Sequence, residues 1–131
     1  MHDLSDWNVL VVDDEPDNVG VIELVLSFHG AKVRTASSGI ECLKMLNEEI
    51  PTLLLVDIQM PHMSGLELLA KIREHQNWYH IPIVAVTAHA MIGDSERFAL
   101  AGFDGYIPKP INAMSIVDEL LPIVTTKVKA S

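Results

Sequence analysis

Cysteine is almost absent from this sequence, basic side chains are scarce, and no apolar run is long enough to cross a membrane. The single cysteine, Cys42, has no partner for an intrachain disulfide, and its neighbours Leu43, Met45 and Leu46 indicate a small hydrophobe inside a helix. A membrane-spanning helix needs roughly 18 consecutive apolar residues. The polar start, MHDLSDWN, resembles neither a secretory nor a transit peptide. We therefore expect a cytoplasmic protein that does not insert into membranes.

The shortage of basic residues leaves the chain strongly acidic. The sequence has 9 lysines and arginines against 18 aspartates and glutamates, a formal net charge of −9. Such a surface repels phosphate backbones, because affinity for nucleic acids comes mainly from lysine and arginine displacing counterions. We therefore expect protein partners and no direct binding of nucleic acid.

Length and organisation predict one domain. The 131 residues are enough to bury a sizeable core but leave no room for a second folded module. We find no linker, repeat or low-complexity segment along the chain. The expected boundaries are a single domain over 1–131, a core at about 7–124 and a frayed tail at 125–131.

Short apolar runs alternate with amphipathic segments. The runs are rich in valine and isoleucine and are bounded by Pro, Gly, Asp or Ser, which is typical of strands. They are NVLVVDD, AKVRTA, TLLLVDI, IPIVAVTA and DGYIPK. Strict alternation of strands and helices implies right-handed crossovers and a parallel sheet covered by helices on both faces, a doubly wound α/β domain. The first, third and fourth runs are apolar nearly throughout and so central, whereas AKVRTA suits an edge because Lys32 and Arg34 alternate with apolar residues.

Helical spacing of apolar residues and helix-start signals predict helices between the strands. Ile22, Val25 and Leu26 share one helix face. Two pairs fit the capping-box pattern, in which a serine precedes a glutamate by three positions. These pairs are Ser38 with Glu41 and Ser64 with Glu67. Further helices are predicted at 40–47, 92–101 and around 113–121.

Polar side chains stand at the carboxyl ends of the predicted strands, where open parallel sheets bind ligands. They are Asp13, Asp14, Asp57, Thr87 and Lys109. Two carboxylates about 4 Å apart repel by roughly 4 kcal/mol at an effective dielectric of about 20, so three together require a cation. Oxygen ligands select a hard ion, and Mg²⁺ (or Mn²⁺) is the candidate. Lys109 and Thr87 then suit a phosphoryl group, which does not belong to a nucleotide because a Gly-rich phosphate loop is missing.

Four segments closely resemble the receiver domains of two-component response regulators. They are VVDDEP, LLLVDIQMPHMSGLEL, VAVTAHA and AGFDGYIPKPI, and together they span nearly the whole chain in the family's order. The resemblance implies a flavodoxin-like, five-stranded sheet of order 2-1-3-4-5. It also implies a single-domain signalling switch that catalyses only its own phosphorylation and dephosphorylation, and is not otherwise an enzyme.

The same resemblance assigns roles around Asp57. Asp57 is the expected phosphoacceptor, which takes a phosphoryl group from a histidine of a kinase or of a histidine phosphotransfer protein. The expected metal ligands are Asp13, Asp14, Asp57 and the backbone carbonyl of Gln59. Lys109 is expected to pair with the phosphoryl oxygens.

The resemblance further assigns switching and tuning roles. Thr87 and Tyr106 are the expected switch residues, which change the surface formed by helix 4, strand 5 and helix 5 and so the choice of a downstream protein target. The peptide bond before Pro110 is the expected cis bond. Gln59 and His89 occupy positions that flank the phosphoryl group and tune how long it persists.

Alternatives from other classes stay open. A Mg²⁺-dependent phosphohydrolase with an aspartate nucleophile uses a similar sheet. Such an enzyme has its nucleophile at the end of strand 1 and a second aspartate two residues later, whereas this chain has DDEP at that place, with glutamate two residues after the first aspartate. A binder of FMN needs a Ser/Thr/Gly loop there, and DDEPDN would repel that phosphate. Within the receiver interpretation, we expect a free-standing protein, either a monomer or a phosphorylation-dependent dimer. A receiver excised from a hybrid histidine kinase is the alternative.

Overall fold

The structure is a computed structural model of the chain and describes residues 3–88 and 94–130. Strands and helices alternate throughout, as the sequence predicts. The elements are β1 (Asn8–Val12), α1 (Pro16–Phe28), β2 (Lys32–Ala36), α2 (Gly39–Glu48), β3 (Leu53–Asp57), α3 (Gly65–Glu74), β4 (Ile83–Thr87), α4 (Asp94–Ala101), β5 (Gly105–Pro108) and α5 (Ile116–Ala130).

All five strands are parallel and follow the order β2-β1-β3-β4-β5, which confirms the predicted topology. Strand β2 lies at an edge and has exposed or half-buried residues at four of its five positions, whereas every residue of β3 and β4 is buried. Val12 pairs with Val56 across β1 and β3. Asp57 pairs with Val86 across β3 and β4. This register brings the carboxyl ends of β1, β3 and β4 to the same edge of the sheet.

The sheet separates two apolar clusters, because successive residues of a strand face opposite sides. One cluster joins Leu10 and Leu54 of the sheet to α2, α3 and α4. The other joins Val9 and Leu53 to α1 and α5. Cys42 of α2 is fully buried in the first cluster, as predicted, and burial raises the pKa of its thiol to about 12. Helices therefore cover both faces.

Local signals account for the helix starts. The Ser38 hydroxyl accepts the N–H of Glu41 at 3.1 Å, and the Ser64 hydroxyl accepts the N–H of Glu67 at 3.2 Å. At the other end of the chain the α5 backbone continues over 125–130, and the fraying expected of the tail stays a prediction. None of the helices in the described ranges is long and apolar enough to span a bilayer.

Candidate functional site

Four carboxylates meet at the carboxyl ends of β1 and β3. Oxygens of Asp13, Asp14, Glu15 and Asp57 all lie within 4.8 Å of one another. Asp13 and Asp57 are buried, with 4% and 3% of their surface exposed, while Asp14 and Glu15 are exposed. The structure thus brings together three carboxylates that the sequence singles out. It adds Glu15, which sequence reasoning missed although it continues the acidic run after β1.

Lys109 provides a positive charge within this cluster. Its Nζ atom lies 3.2 Å from Asp13 Oδ2, 3.4 Å from Asp57 Oδ2 and 3.7 Å from Glu15 Oε1, and its side chain is only 8% exposed. Burial by itself lowers the pKa of Lys109, but the carboxylates around it, Asp13 foremost, outweigh that effect and raise the pKa. The ammonium therefore stays charged at neutral pH.

One positive charge does not satisfy the cluster. The N–H of Glu15 donates to Asp13 Oδ1 at 2.8 Å, and the N–H of Gln59 donates to Asp57 Oδ1 at 3.2 Å. The other oxygen of each aspartate, Oδ2, is buried, and the described residues offer it no hydrogen-bond donor besides the Lys109 ammonium, which the two oxygens share at 3.2 and 3.4 Å. One ammonium shared by two buried carboxylate oxygens compensates each of them only in part for the hydration lost on burial. Both oxygens face the cluster, where a hard cation would satisfy them.

The electrostatics of Asp57 agree with that interpretation. Its pKa is raised from 3.8 to about 6, first by burial and then by the charge of Asp13, while Lys109 and the N–H of Gln59 oppose the rise. A cation bound among these carboxylates would stabilise the ionised form. The donor set consists of oxygens alone, and so the acidic cluster is compatible with a divalent metal ion.

The loop between β3 and α3 packs closely against the backbone of Asp57. The N–H of Gly65 donates to the carbonyl of Ile58 at 2.9 Å, so α3 begins directly against the end of β3. A Cβ atom placed on Gly65 would overlap the carbonyl oxygen of Asp57. Only glycine permits this close approach. Gln59 is exposed in the same loop, and its role as a carbonyl ligand stays a prediction.

Thr87 ends β4 beside this site and is 2% exposed. Its backbone carbonyl accepts the N–H of Lys109 at 2.8 Å, which ties the end of β4 to the loop after β5. The peptide bond between Lys109 and Pro110 is cis. His89, to which the resemblance to receiver domains assigns a tuning role, lies outside the described residues.

Tyr106 lies on β5, away from the carboxylates. It is half-buried and packs against the first apolar cluster. Its ring centroid is 5.8 Å from that of Phe98 on α4, and Phe98 in turn meets Phe103 edge to face at 5.9 Å. Tyr106 therefore links β5 to α4 rather than contributing to the acidic cluster.

Comparison with known proteins identifies the family. The response regulator receiver domain matches residues 9–121. The polar-differentiation response regulator DivK of Brucella ovis is 35% identical over 113 residues, which cover 86% of this chain and 92% of DivK. An uncharacterized 14.6 kDa protein of Leptolyngbya boryana is 35% identical over 117 residues, 89% of each chain.

Solved structures agree with the sequence comparison. A putative response regulator of Chloroflexus aurantiacus superposes with a TM-score of 0.85 at 30% identity, covering 91% of this chain and 98% of that one. The chemotaxis protein CheY4 of Vibrio cholerae gives a TM-score of 0.82 at 25% identity, covering 89% of this chain and 98% of CheY4. This chain belongs to the receiver domain family of two-component response regulators, whose members are signalling switches rather than conventional enzymes.

Proposed function

We propose that this receiver is a phosphoacceptor switch that takes a phosphoryl group onto Asp57 from a phosphohistidine of a kinase or of a histidine phosphotransfer protein. One observation carries the proposal. The Oδ2 oxygen of Asp57 is buried, and the described residues offer it no hydrogen-bond donor besides the Lys109 ammonium, whose Nζ atom lies 3.4 Å away. A carboxylate oxygen held in this way is available to a phosphorus atom, with a cation already in place for the incoming charge.

The transfer exchanges one bond to phosphorus for another. Asp57 Oδ2 forms a bond to phosphorus as the bond between phosphorus and the donor's imidazole nitrogen breaks. The electron pair of the broken bond stays on that nitrogen, which takes up a proton. Later attack by water releases inorganic phosphate and returns Asp57 to a carboxylate, a step whose rate Gln59 and His89 are proposed to tune.

The residues around Asp57 have separate proposed roles in binding the metal ion and the phosphoryl group. Asp13, Asp14 and Asp57, with the carbonyl of Gln59, are the proposed ligands of Mg²⁺ or Mn²⁺. The ion supplies charge neutralisation for the phosphoryl oxygens and the carboxylates. Lys109 is already 3.2 Å from Asp13 and is proposed to turn its ammonium toward the phosphoryl oxygens once they arrive.

Switching follows from the added charge. The phosphoryl group brings new acceptor oxygens to the edge of the sheet, and the Thr87 hydroxyl is proposed to donate to one of them. Tyr106, which packs against Phe98, then repositions and alters the surface of α4, β5 and α5. The two states differ in affinity for a downstream protein target, and phosphorylation shifts the population by that difference.

An exposed apolar stripe on α1 supports a protein as the phosphodonor. Val21, Leu24 and Phe28 are 37%, 73% and 69% exposed and recur at helical spacing, so they share one side of the helix. Helix α1 starts at Pro16, next to the acidic cluster. A donor that packs on this stripe and extends along α1 toward Pro16 would reach the acidic cluster. Exposed apolar stripes of this kind mark contact surfaces.

Acetyl phosphate with Mg²⁺ tests the proposal directly. Phosphate should add to the intact protein, and peptide mapping by mass spectrometry should place it on Asp57. The Asp57→Asn variant should incorporate none, whereas Asp104→Asn, a carboxylate at the opposite end of the sheet, should be labelled like the wild type. Labelling at another residue, or continuous phosphate release without a labelled protein, would contradict the switch and favour a hydrolase.

A further inference from the structure

A cleft of about 720 Å³ opens at the end of the molecule opposite the acidic cluster. Residues 46–50 and 75–80 line it, so its walls are the end of α2 and the connection from α3 to β4. The five residues of β3 separate it from Asp57 by roughly 13 Å. The cleft is therefore distinct from the phosphoacceptor site, and nothing argued for Asp57 assigns it a role.

The α2 side of the cleft is negative. The carboxyl end of a helix carries a partial negative charge, and the last turn of α2 contains no basic residue, although Arg34 of β2 donates to the carbonyl of Glu49 at 3.1 Å. Glu48 ends the helix and forms no salt bridge with a described residue. Glu49 follows it, with its carboxylate 3.9 Å from both Lys32 Nζ and Arg34 Nε, at the limit of an ion pair. A phosphate or a nucleotide would be repelled here.

The α3 side of the cleft is aromatic and is held in place. Tyr79 is 58% exposed, and the ring of His75 stacks on Trp78 with centroids 3.6 Å apart. The N–H of Asn77 donates to His75 Nδ1 at 3.1 Å, and Arg73 donates to the carbonyl of Tyr79 at 2.7 Å. This wall is therefore preformed, which reduces the entropy that a bound group would lose by ordering it.

Negative charge on one wall and aromatic rings on the other match a single kind of side chain. A guanidinium donates hydrogen bonds to carboxylates and helix-end carbonyls and stacks on an aromatic face, and its apolar stem suits the exposed Ile50. We propose that this cleft docks an arginine side chain presented by a partner protein. The partner would approach the end of the sheet opposite Asp57.

A capped Gly-Gly-Arg-Gly-Gly peptide serves as the probe, with the isosteric, uncharged citrulline peptide as its control. Each is titrated into ¹⁵N-labelled protein in the presence of excess Mg²⁺, which competes with the peptide for the acidic cluster. The arginine peptide should give saturable amide shifts at 46–50 and 75–80, with a Kd of about 1–10 mM. The citrulline peptide should bind about fivefold more weakly or worse.

Two variants of equal charge change make the test specific. Glu48→Gln, in the cleft, should raise the Kd of the arginine peptide by about threefold or more. Glu23→Gln, which alters an exposed residue of α1, should leave that Kd unchanged. The amide spectra themselves report whether each variant is folded. Shifts confined to the surroundings of Asp57, equal binding of the citrulline peptide, or unchanged binding to folded Glu48→Gln would each overturn the proposal. Asp57→Asn should bind normally, so failure of the phosphoacceptor proposal leaves this one standing.

Discussion

Two clusters of cation and carboxylate lie at opposite ends of the sheet, and they are built differently. At the amino end, Arg73 donates to the carbonyls of Gly102, Tyr79 and Ile81 and to Asp104, whose carboxylate also accepts the N–H of Ile83. At the carboxyl end, the Lys109 ammonium is shared by Asp13, Asp57 and Glu15, and the described residues offer the two buried Oδ2 oxygens no further donor. The first cluster is satisfied internally and so stabilises the fold; the second is incomplete and so suits a ligand.

Removing the cation from the satisfied cluster should have the largest effect on stability. Arg73→Met deprives three carbonyls and Asp104 of their donors, and the free energy of unfolding should fall by about 2–4 kcal/mol. Urea denaturation measures the change. Lys71→Met, an exposed lysine in the same turn of α3, is the control and should change stability by less than about 0.5 kcal/mol. Equal stability of the two variants would mean that the Arg73 hydrogen bonds contribute nothing net.

Removing one carboxylate from each cluster should shift stability in opposite directions. Asp57→Asn relieves the repulsion with Asp13 and should stabilise the metal-free protein by roughly 1–2 kcal/mol. Asp104→Asn breaks a paired carboxylate and should destabilise it by a similar, roughly 1–2 kcal/mol, amount. Thermal or urea denaturation in EDTA compares the two. Destabilisation by both substitutions would contradict this contrast, because it would mean that the carboxylate of Asp57, like that of Asp104, stabilises the metal-free fold.

The pH dependence of stability should separate the clusters further. Asp57 has a pKa of about 6 in the folded protein against an ordinary value of 3.8, so the folded state binds its proton more tightly than the unfolded state does. The stability that this proton contributes is present below about pH 4 and is lost as the pH rises through about 6. Mg²⁺ should restore stability above that range. A metal-free wild type whose stability has the same pH dependence as that of Asp57→Asn between these values would contradict the assignment.

The smallest effect on stability should come from the stripe on α1. Leu24→Ser alters an exposed side chain and should change the free energy of unfolding by less than about 0.5 kcal/mol. It should nevertheless slow transfer from a phosphorylated histidine phosphotransfer protein by about tenfold, with labelling by acetyl phosphate unchanged. Leu100→Ser, which alters an 89% exposed leucine of α4, is the control. Equal slowing by both variants would exclude α1 as the docking face.

Sequence reasoning succeeded where local pattern and parallel topology decide the outcome. Apolar runs predict the strands, and the rule that ligands bind at carboxyl ends predicts that Asp13 and Asp57 converge. It could not anticipate partnerships that depend on the packing of loops. Arg73 and Asp104 are 31 positions apart and no local pattern relates them. Glu15 joins the acidic cluster only because of how the chain turns between β1 and α1.

The hydrogen atom in place of a side chain at Gly65 has a consequence for protein engineering. Copying the acidic residues and the lysine onto the rim of another parallel sheet would reproduce the charges of the cluster but not the position of Asp57, the proposed nucleophile. The grafted strand would also need a following helix whose first residue is glycine, because any Cβ atom at that position would overlap the backbone carbonyl of the aspartate. Scaffolds for artificial phosphorelays can therefore be screened first for that glycine, before any charge is introduced.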